Sequence, residues 1–271
     1  MAAENLLELR EFIHKELGIK MPASKVPMLH GRLQKRLRAL GITSLAEYKE
    51  HLLHAPKDSD EVTQFIDAVT TNKTDFYRES AHFDFLLDRV VPQHTRATSR
   101  RLDIWCAGCS TGEEPYTIAM LLAHHARTRV GFEFGVLATD ISTRVLEHAR
   151  DGIYAAERVE PLPPAVRERY VMRSKDRTRK EVRISPEIRA RVKFHRLNFM
   201  DADYGVANTF DAIFFRNVAI YFEPSTQEAV VSKLCRNLAV GGYLFIGHSE
   251  SLSNFSLPLK YVSPAVYQRT P

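Results

Sequence analysis

The sequence has no run of about 18 consecutive apolar residues, the length a membrane-spanning helix needs, so no membrane insertion is expected. Cysteine is scarce: three residues, at 106, 109 and 235, build no disulfide framework and suit a reducing cytoplasm. The glycine-containing turn after residue 107 is not spelled G-x-G-x-x-G, which argues against a pyrophosphate ligand. No second C-x-x-C accompanies Cys106 and Cys109, and the eleven histidines are scattered, so no metal is expected. Repeats and low-complexity tracts are missing, and Met1 to Arg10 reads as the start of an amphipathic helix rather than a signal peptide. One shortage is local. No acid occurs between Glu16 and Glu47, an interval that holds six lysines and arginines. Solvation is the ordinary explanation of a charged helix face, but a one-sign interval this long points equally to docking on an acidic surface.

What is present is an ordinary globular composition. With 44% hydrophobic residues in 271, the chain can fill one large domain, or a small and a medium one. Its organising stretch is Leu102 to Tyr116. Leu102, Ile104 and Trp105 supply a strand, and Ala107, Gly108, Ser110 and Gly112 let the backbone turn sharply beside a ligand. Glu113, Glu114 and Pro115 then suit the first turn of a helix. Strand, turn and helix form the nucleotide-binding corner of a doubly wound α/β sheet. Two glutamates at the helix mouth disfavour a phosphate and favour hydroxyls and positive charge. S-adenosylmethionine, with a sulfonium, an ammonium and two ribose hydroxyls, meets that description. The next strand, Phe132 to Asp140, ends in the acid that such folds use for the ribose.

Upstream, residues 4–80 read as helical. Leu6, Leu9, Ile13 and Leu17 recur at helical spacing up to Gly18, and Leu29, Leu33, Leu37 and Leu40 mark a second helix from Pro27 to Gly41. Arg32, Lys35 and Arg38 lie mainly opposite that stripe, with Arg36 at its boundary. Thr43 to Glu47 caps a third helix, Ala55 to Ser59 breaks it, and Glu61 to Thr70 is a fourth. Thr71 to Glu79 joins this part to the α/β part, a common place for a ligand lid; His82 to Val91 is a helix leading to Pro92 and the strand at Leu102.

Downstream, Ser142 caps a helix over 144–149, and 152–164 is an irregular connection. Residues 170–198 read as an inserted antiparallel piece, with strands at Tyr170 to Arg173, Glu181 to Ile184 and Arg191 to His195. From Arg167 to Arg196 it has twelve basic residues against four acidic ones. Asn198 to Asp201 is a loop near an adenine, and Phe210 to Phe222 is a buried strand opening into a loop with Arg216, Asn217 and Tyr221.

Five stretches coincide with one family: Asn72 to Arg78, Ser110 to Tyr116, Thr139 to Ser142, Arg216 to Phe222 and Gly247 to Leu252. The sequence resembles the CheR family of bacterial chemotaxis receptor methyltransferases over nearly its whole length. The resemblance implies an α/β fold: a Rossmann-like S-adenosylmethionine-dependent methyltransferase domain at 81–271, with a small antiparallel β-subdomain inserted at about 168–198. An all-helical receptor-docking domain would occupy 1–80. It implies that Asn72, Thr74, Arg78, Glu114, Asp140, Asn198, Phe199, Arg216 and Asn217 contact the donor, leaving S-adenosylhomocysteine as product. Arg78 and Tyr221 would stand beside the transferring methyl, in catalytic roles. The basic second helix, with Arg32, Lys35, Arg36 and Arg38, would dock on the acidic methylation region of a receptor's cytoplasmic part. In some members the β-subdomain holds a pentapeptide at the receptor's C-terminus through a glycine-containing turn; here Ser174 to Lys180 has no glycine. A cytoplasmic monomer is expected.

The implied reaction makes a methyl ester of a receptor glutamate, for sensory adaptation. Such a carboxylate, with a pKa near about 4.3, is already the nucleophile at neutral pH, and no acid/base pair stands out in the motifs. Two rivals are weaker. A redox dithiol would use Cys106 and Cys109, but Ser-Thr-Gly-Glu-Glu-Pro is the wrong flank for it. A nucleic-acid methyltransferase would use the basic hairpin, but Arg216-Asn-Val-Ala replaces the Asn/Asp-Pro-Pro-aromatic loop of enzymes that methylate base amines. No nucleic-acid partner is expected.

Overall fold

The computed structural model describes residues 2–57, 59–98, 100–176, 178–207 and 209–271. Its first part is four helices: α1 (Ala2–Leu17), α2 (Val26–Leu40), α3 (Leu45–Leu53) and α4 (Asp60–Val69). Their apolar stripes meet in one cluster in which Leu9, Ile13, Leu29, Leu33, Tyr48 and Phe65 are fully buried. Gly18 and Gly41, both left-handed, stop α1 and α2, as the sequence predicts. Within the expected cap, Thr43 to Glu47, Ser44 is the residue that caps α3, accepting from the Glu47 amide at 3.1 Å. The predicted break at Ala55 to Ser59 includes Asp58, which lies outside the described residues.

Pro92 does not end its helix. Helical backbone runs through α5 (Ala81–Phe85), a π turn (Leu86–Val90) and α6 (Val91–Ala97). The widened turn resets the register so that Pro92 falls in the first turn of α6, where its missing N–H is not needed.

The second part alternates strands and helices: β1 (Leu102–Ala107), α7 (Glu113–Ala126), β2 (Phe134–Asp140), α8 (Thr143–Asp151), β3 (Ile153–Ala155), α9 (Pro164–Tyr170), β4 (Val171–Arg173), β5 (Glu181–Ile184), α10 (Pro186–Arg189) and β6 (Val192–Arg196). Then come β7 (Phe210–Phe215), α11 (Pro224–Asn237), β8 (Leu238–Ile246), β9 (Leu259–Ser263) and β10 (Val266–Arg269). Seven strands form one sheet in the order β6-β2-β1-β7-β8-β10-β9. It is parallel from β6 to β8 and antiparallel beyond. The chain leaves β1 in one direction through β2 and β6, then returns to its other side for β7 and β8. That reversal makes the crevice in which open α/β sheets bind ligands.

Two strand expectations need correction. Val192–Arg196 is not part of the insertion: it pairs parallel with β2, Val136 facing Val192 and Asp140 facing Arg196. The small antiparallel sheet is β3-β5-β4, and its first strand, Ile153–Ala155, falls in the stretch read as irregular. Alternating side chains reveal a strand but not its partner, and three residues are too few to show alternation.

The helical part is fastened to the sheet at three places. Asp67 on α4, 4% exposed, accepts from the Thr143 hydroxyl at 2.8 Å and the Arg144 amide at 3.3 Å at the start of α8. The Asn198 side chain donates to the Glu16 carbonyl at 2.8 Å. The Lys20 amide donates to the Tyr221 carbonyl at 2.7 Å, beside an isolated bridge between Ile19 and Phe222. The loops at the carboxyl ends of the strands are thereby closed over by the four-helix part.

Candidate active site

The carboxyl ends of β1, β2, β6 and β7 open into one cavity. Its sheet side is lined by Gly108, Ser110, Glu114, Asp140, Ile141, Asn198, Phe199, Arg216, Asn217, Val218 and Tyr221. Its far wall is Leu17, Ile19, Met21, Lys25, Met28 and the linker that carries Asn72, Thr74 and Arg78. All ten residues expected to hold the donor or steer the acceptor therefore line a single space, though they come from stretches up to 149 positions apart (Asn72 to Tyr221).

The turn after β1 is shaped by glycine. Gly108 has φ +90°, and a Cβ there would stand 2.4 Å from Val218 Cγ2. Only glycine lets the loop after β7 approach so closely. The next residues cradle Asp140: the Ser110 amide donates to Oδ2 at 2.8 Å and the Ser142 amide to Oδ1 at 3.0 Å. Burial pushes the Asp140 carboxyl above its ordinary pKa while these amides pull it back. Each oxygen keeps acceptor capacity for a further donor.

Arg216 is the buried centre. Its side chain is 1% exposed and lies over the Phe83 ring. One nitrogen donates to the Arg78 carbonyl at 2.6 Å and to Glu79 Oε2 at 3.2 Å, and the other stands 3.2 Å from Glu114 Oε2. Glu79 also accepts from the Asn217 side chain at 3.4 Å. Burial opposes the Glu79 charge, but Arg216, His248 and Asn217 outweigh it and hold the carboxyl below its usual pKa. Arg78 sits between two residues in the left-handed region, Tyr77 (φ +57°) and Glu79 (φ +56°). Such backbone strain, about 1–3 kcal/mol per residue, gathers at functional sites. Tyr221 closes a 3-10 turn, Ala219–Tyr221, with the Lys25 ammonium 5.7 Å from its ring centre. Burial raises its phenol pKa, so the hydroxyl remains a proton donor at neutral pH.

A family model described as "CheR methyltransferase, SAM binding domain" matches residues 72–267, and "CheR methyltransferase, all-alpha domain" matches 4–70. The chain belongs to the CheR methyltransferase family. Three proteins named chemotaxis protein methyltransferase are similar over nearly their full lengths. That of Escherichia coli is 40% identical, covering 96% of this chain and 88% of its own. "Chemotaxis protein methyltransferase 2" of Pseudomonas aeruginosa is 38% identical, covering 97% and 92%. That of Borreliella burgdorferi is 35% identical, covering 98% and 94%. These relatives lend no support to a nucleic-acid methyltransferase.

The cavity fits S-adenosylmethionine on its own chemistry. It offers a cradled carboxylate at the end of β2 for paired hydroxyls, and Ile141 and Phe199 as apolar walls. Around Arg216, Glu79 and Glu114 place two carboxylates at the cavity, with Arg78 as a second guanidinium, its Nε 3.8 Å from Glu79 Oε1. Sequence reasoning missed Ile141, Val218 and the residues of α1 and α2. Ile141 had a signal, its place directly after the strand-end acid. The helical-wall residues had none.

The dithiol reading fails here. Cys106, Cys109 and Cys235 are free, and burial drives the Cys106 and Cys109 thiols well above their ordinary pKa. Cys106 instead donates to Glu114 Oε1 at 2.8 Å. Iodoacetamide should leave both thiols intact in the folded protein and label them on unfolding; rapid labelling of the native state would contradict this.

The docking stripe is narrower than expected. Arg32 turns inward and caps α4, donating to the Val69 and Thr70 carbonyls at 2.8 and 2.9 Å. Arg36 forks onto Glu61, whose other contact is the Tyr48 hydroxyl. Lys35 and Arg38 are exposed. Among the described residues, Glu79, His82 and His248 have the side-chain types and spacing of a metal triad, ligand atoms within 4.8 Å. The Arg216 guanidinium, 3.2 Å from the same Glu79 oxygen, already supplies a cation there and opposes a second.

Proposed function

We propose that this CheR-family chain esterifies glutamate γ-carboxylates in the cytoplasmic methylation region of chemotaxis receptors, acting in the cytoplasm as a monomer. The observation that carries the reading is the meeting of Arg78 and Tyr221 with Asp140 and Glu114 in one cavity. When bound, S-adenosylmethionine supplies an electrophilic methyl group. Asp140 would hold its ribose hydroxyls, Glu114 its ammonium, and Asn198 with Phe199 its adenine; Asn72, Thr74, Arg216 and Asn217 complete the contacts.

The chain's own work is alignment. An ionised glutamate needs no base, so the site must present its oxygen in line and exclude water. Arg78, 37% exposed at the side chain, pairs with Glu79 only through Nε, 3.8 Å from Oε1, which leaves the rest of its guanidinium to receive a carboxylate from outside. Too tight an ion pair would slow the reaction, because the acceptor's charge is lost in the transition state. The Tyr221 hydroxyl then orients the second oxygen. Leu17, Ile19 and Met21 make the far wall apolar and keep water out.

Radiolabelled methyl transfer to a receptor cytoplasmic fragment tests the reading. Label released by mild alkali identifies an ester, whereas alkali-stable label would identify N-methylation and refute it. Exchanging Lys35 and Arg38 for glutamate should raise the KM for the fragment about tenfold, in a salt-dependent way, with S-adenosylhomocysteine affinity unchanged.

A further inference from the structure

Glu250 is a carboxylate without a cation. Among the described residues no lysine, arginine or histidine pairs with it, although most of its side chain is covered. Its partners are backbone amides of two loops that leave neighbouring strands. Oε2 accepts from Asn217 N at 2.9 Å and Gly247 N at 2.6 Å, and Oε1 accepts from Ile220 N at 3.2 Å. The loops are pressed together: a Cβ on Gly247 would stand 2.3 Å from the Asn217 side-chain nitrogen. Asn217 is itself left-handed, at φ +58°, a conformation asparagine tolerates better than most residues. Ile220 is the middle residue of the 3-10 turn that ends at Tyr221, and the residue is 47% exposed. The carboxylate therefore caps that turn from beneath, satisfying amides that have no partner within so short a helix.

We propose that Glu250 is a positioning residue for methyl transfer, fixing the backbone from Asn217 to Tyr221 so that the Tyr221 hydroxyl meets the acceptor. This rests on the catalytic reading of Tyr221 given above. The geometry explains why a carboxylate is required. Three donors approach two oxygens, and a glutamine at 250 would turn its own N–H groups against at least one of them. The tie on Ile220 or the pair on Asn217 and Gly247 must then open. Misplacement of a catalytic group by about 1 Å costs roughly 10²-fold in rate.

The test is a double-mutant cycle on kcat with the receptor fragment as acceptor. Glu250→Gln should lower kcat about 10²-fold while S-adenosylhomocysteine affinity falls less than about fivefold, because of the proposed donor contacts it loosens only Asn217 and leaves Asp140 and Glu114 untouched. Glu250→Asp, which keeps the charge on a shorter arm, should fall between. If Glu250 acts through Tyr221, adding Glu250→Gln to Tyr221→Phe should slow the enzyme little beyond the slower single variant. Wild-type kcat in folded Glu250→Gln, or fully multiplicative effects in the double variant, would overturn the proposal. So would failure of both Glu250 variants to fold, since the role is local. Amide hydrogen exchange needs no acceptor: either Ile220 or the pair Asn217 and Gly247 should exchange faster in Glu250→Gln. Should the wild type fail to methylate the fragment, the proposed acceptor falls, while unchanged exchange would sink the positioning role separately.

Discussion

Arg78→Ala is expected to lower kcat/KM by about three orders of magnitude, the upper end of what one aligned donor contributes in an active site. The backbone around the substitution should hold. Tyr77 is anchored by its amide on Thr117 Oγ1 at 3.2 Å and by stacking on Phe83, and Arg216 grips the carbonyl of residue 78 whatever its side chain. What disappears is a planar, permanently charged fork at the cavity, the group matched to an incoming carboxylate. Lysine should recover part of the loss, since it keeps the charge without the bidentate geometry. Initial rates over a range of receptor fragment, with thermal unfolding as a control on the fold, measure the effect. Turnover within a few-fold of wild type would remove Arg78 from the mechanism.

Arg216→Ala should be the most damaging substitution for the fold around the site. The guanidinium is 1% exposed and stands between Glu79 and Glu114, which are 13% and 15% exposed at the side chain. Removing one member of a buried ionic group costs about 3–5 kcal/mol, because the remaining charges stay buried without compensation. For a chain of this size that lowers Tm by roughly 10 °C. The same change frees the Arg78 carbonyl and the Asn217 side chain's partner, so methyl transfer should vanish with it. The pH dependence follows from Glu79. Its folded pKa lies below the ordinary 4.5, so its contribution is fully present above about pH 4.5 and is lost as pH falls through the folded value. Arg216→Ala should therefore unfold at lower temperature at neutral pH and approach the wild type in acid. Equal Tm values for the two proteins at pH 7 would contradict the buried-triad account.

Much of the framework was legible residue by residue. The stripe Leu29, Leu33, Leu37 predicts α2 because helical spacing puts one face inward, and Leu102 to Tyr116 predicts strand, turn and helix from turn chemistry alone. The candidate site was legible for a related reason. Asp140 and the loop with Arg216 and Tyr221 follow strands, where a fold of this class exposes loops to a ligand, whereas Asn72, in the linker between α4 and α5, entered only through the family resemblance. Less legible were interactions between distant stretches. Arg32 and Arg36 look like Lys35 in a helical wheel, yet they end on the Val69 and Thr70 carbonyls and on Glu61. Charge pattern does not distinguish water from a partner that another helix will bring. Likewise Val192–Arg196 has a strand's alternation, but only pairing with β2 places it in the large sheet.

By itself, then, the order of residues determined periodicity, caps, turns and the chemical types gathered at strand ends, because each depends on neighbours a few positions away. Tertiary structure alone decided which carboxylate faces which cation, that Glu250 ties two loops by their amides, and that α1 and α2 wall the cavity. Those contacts join residues many positions apart, and their geometry exists only once the helical part has packed against the sheet.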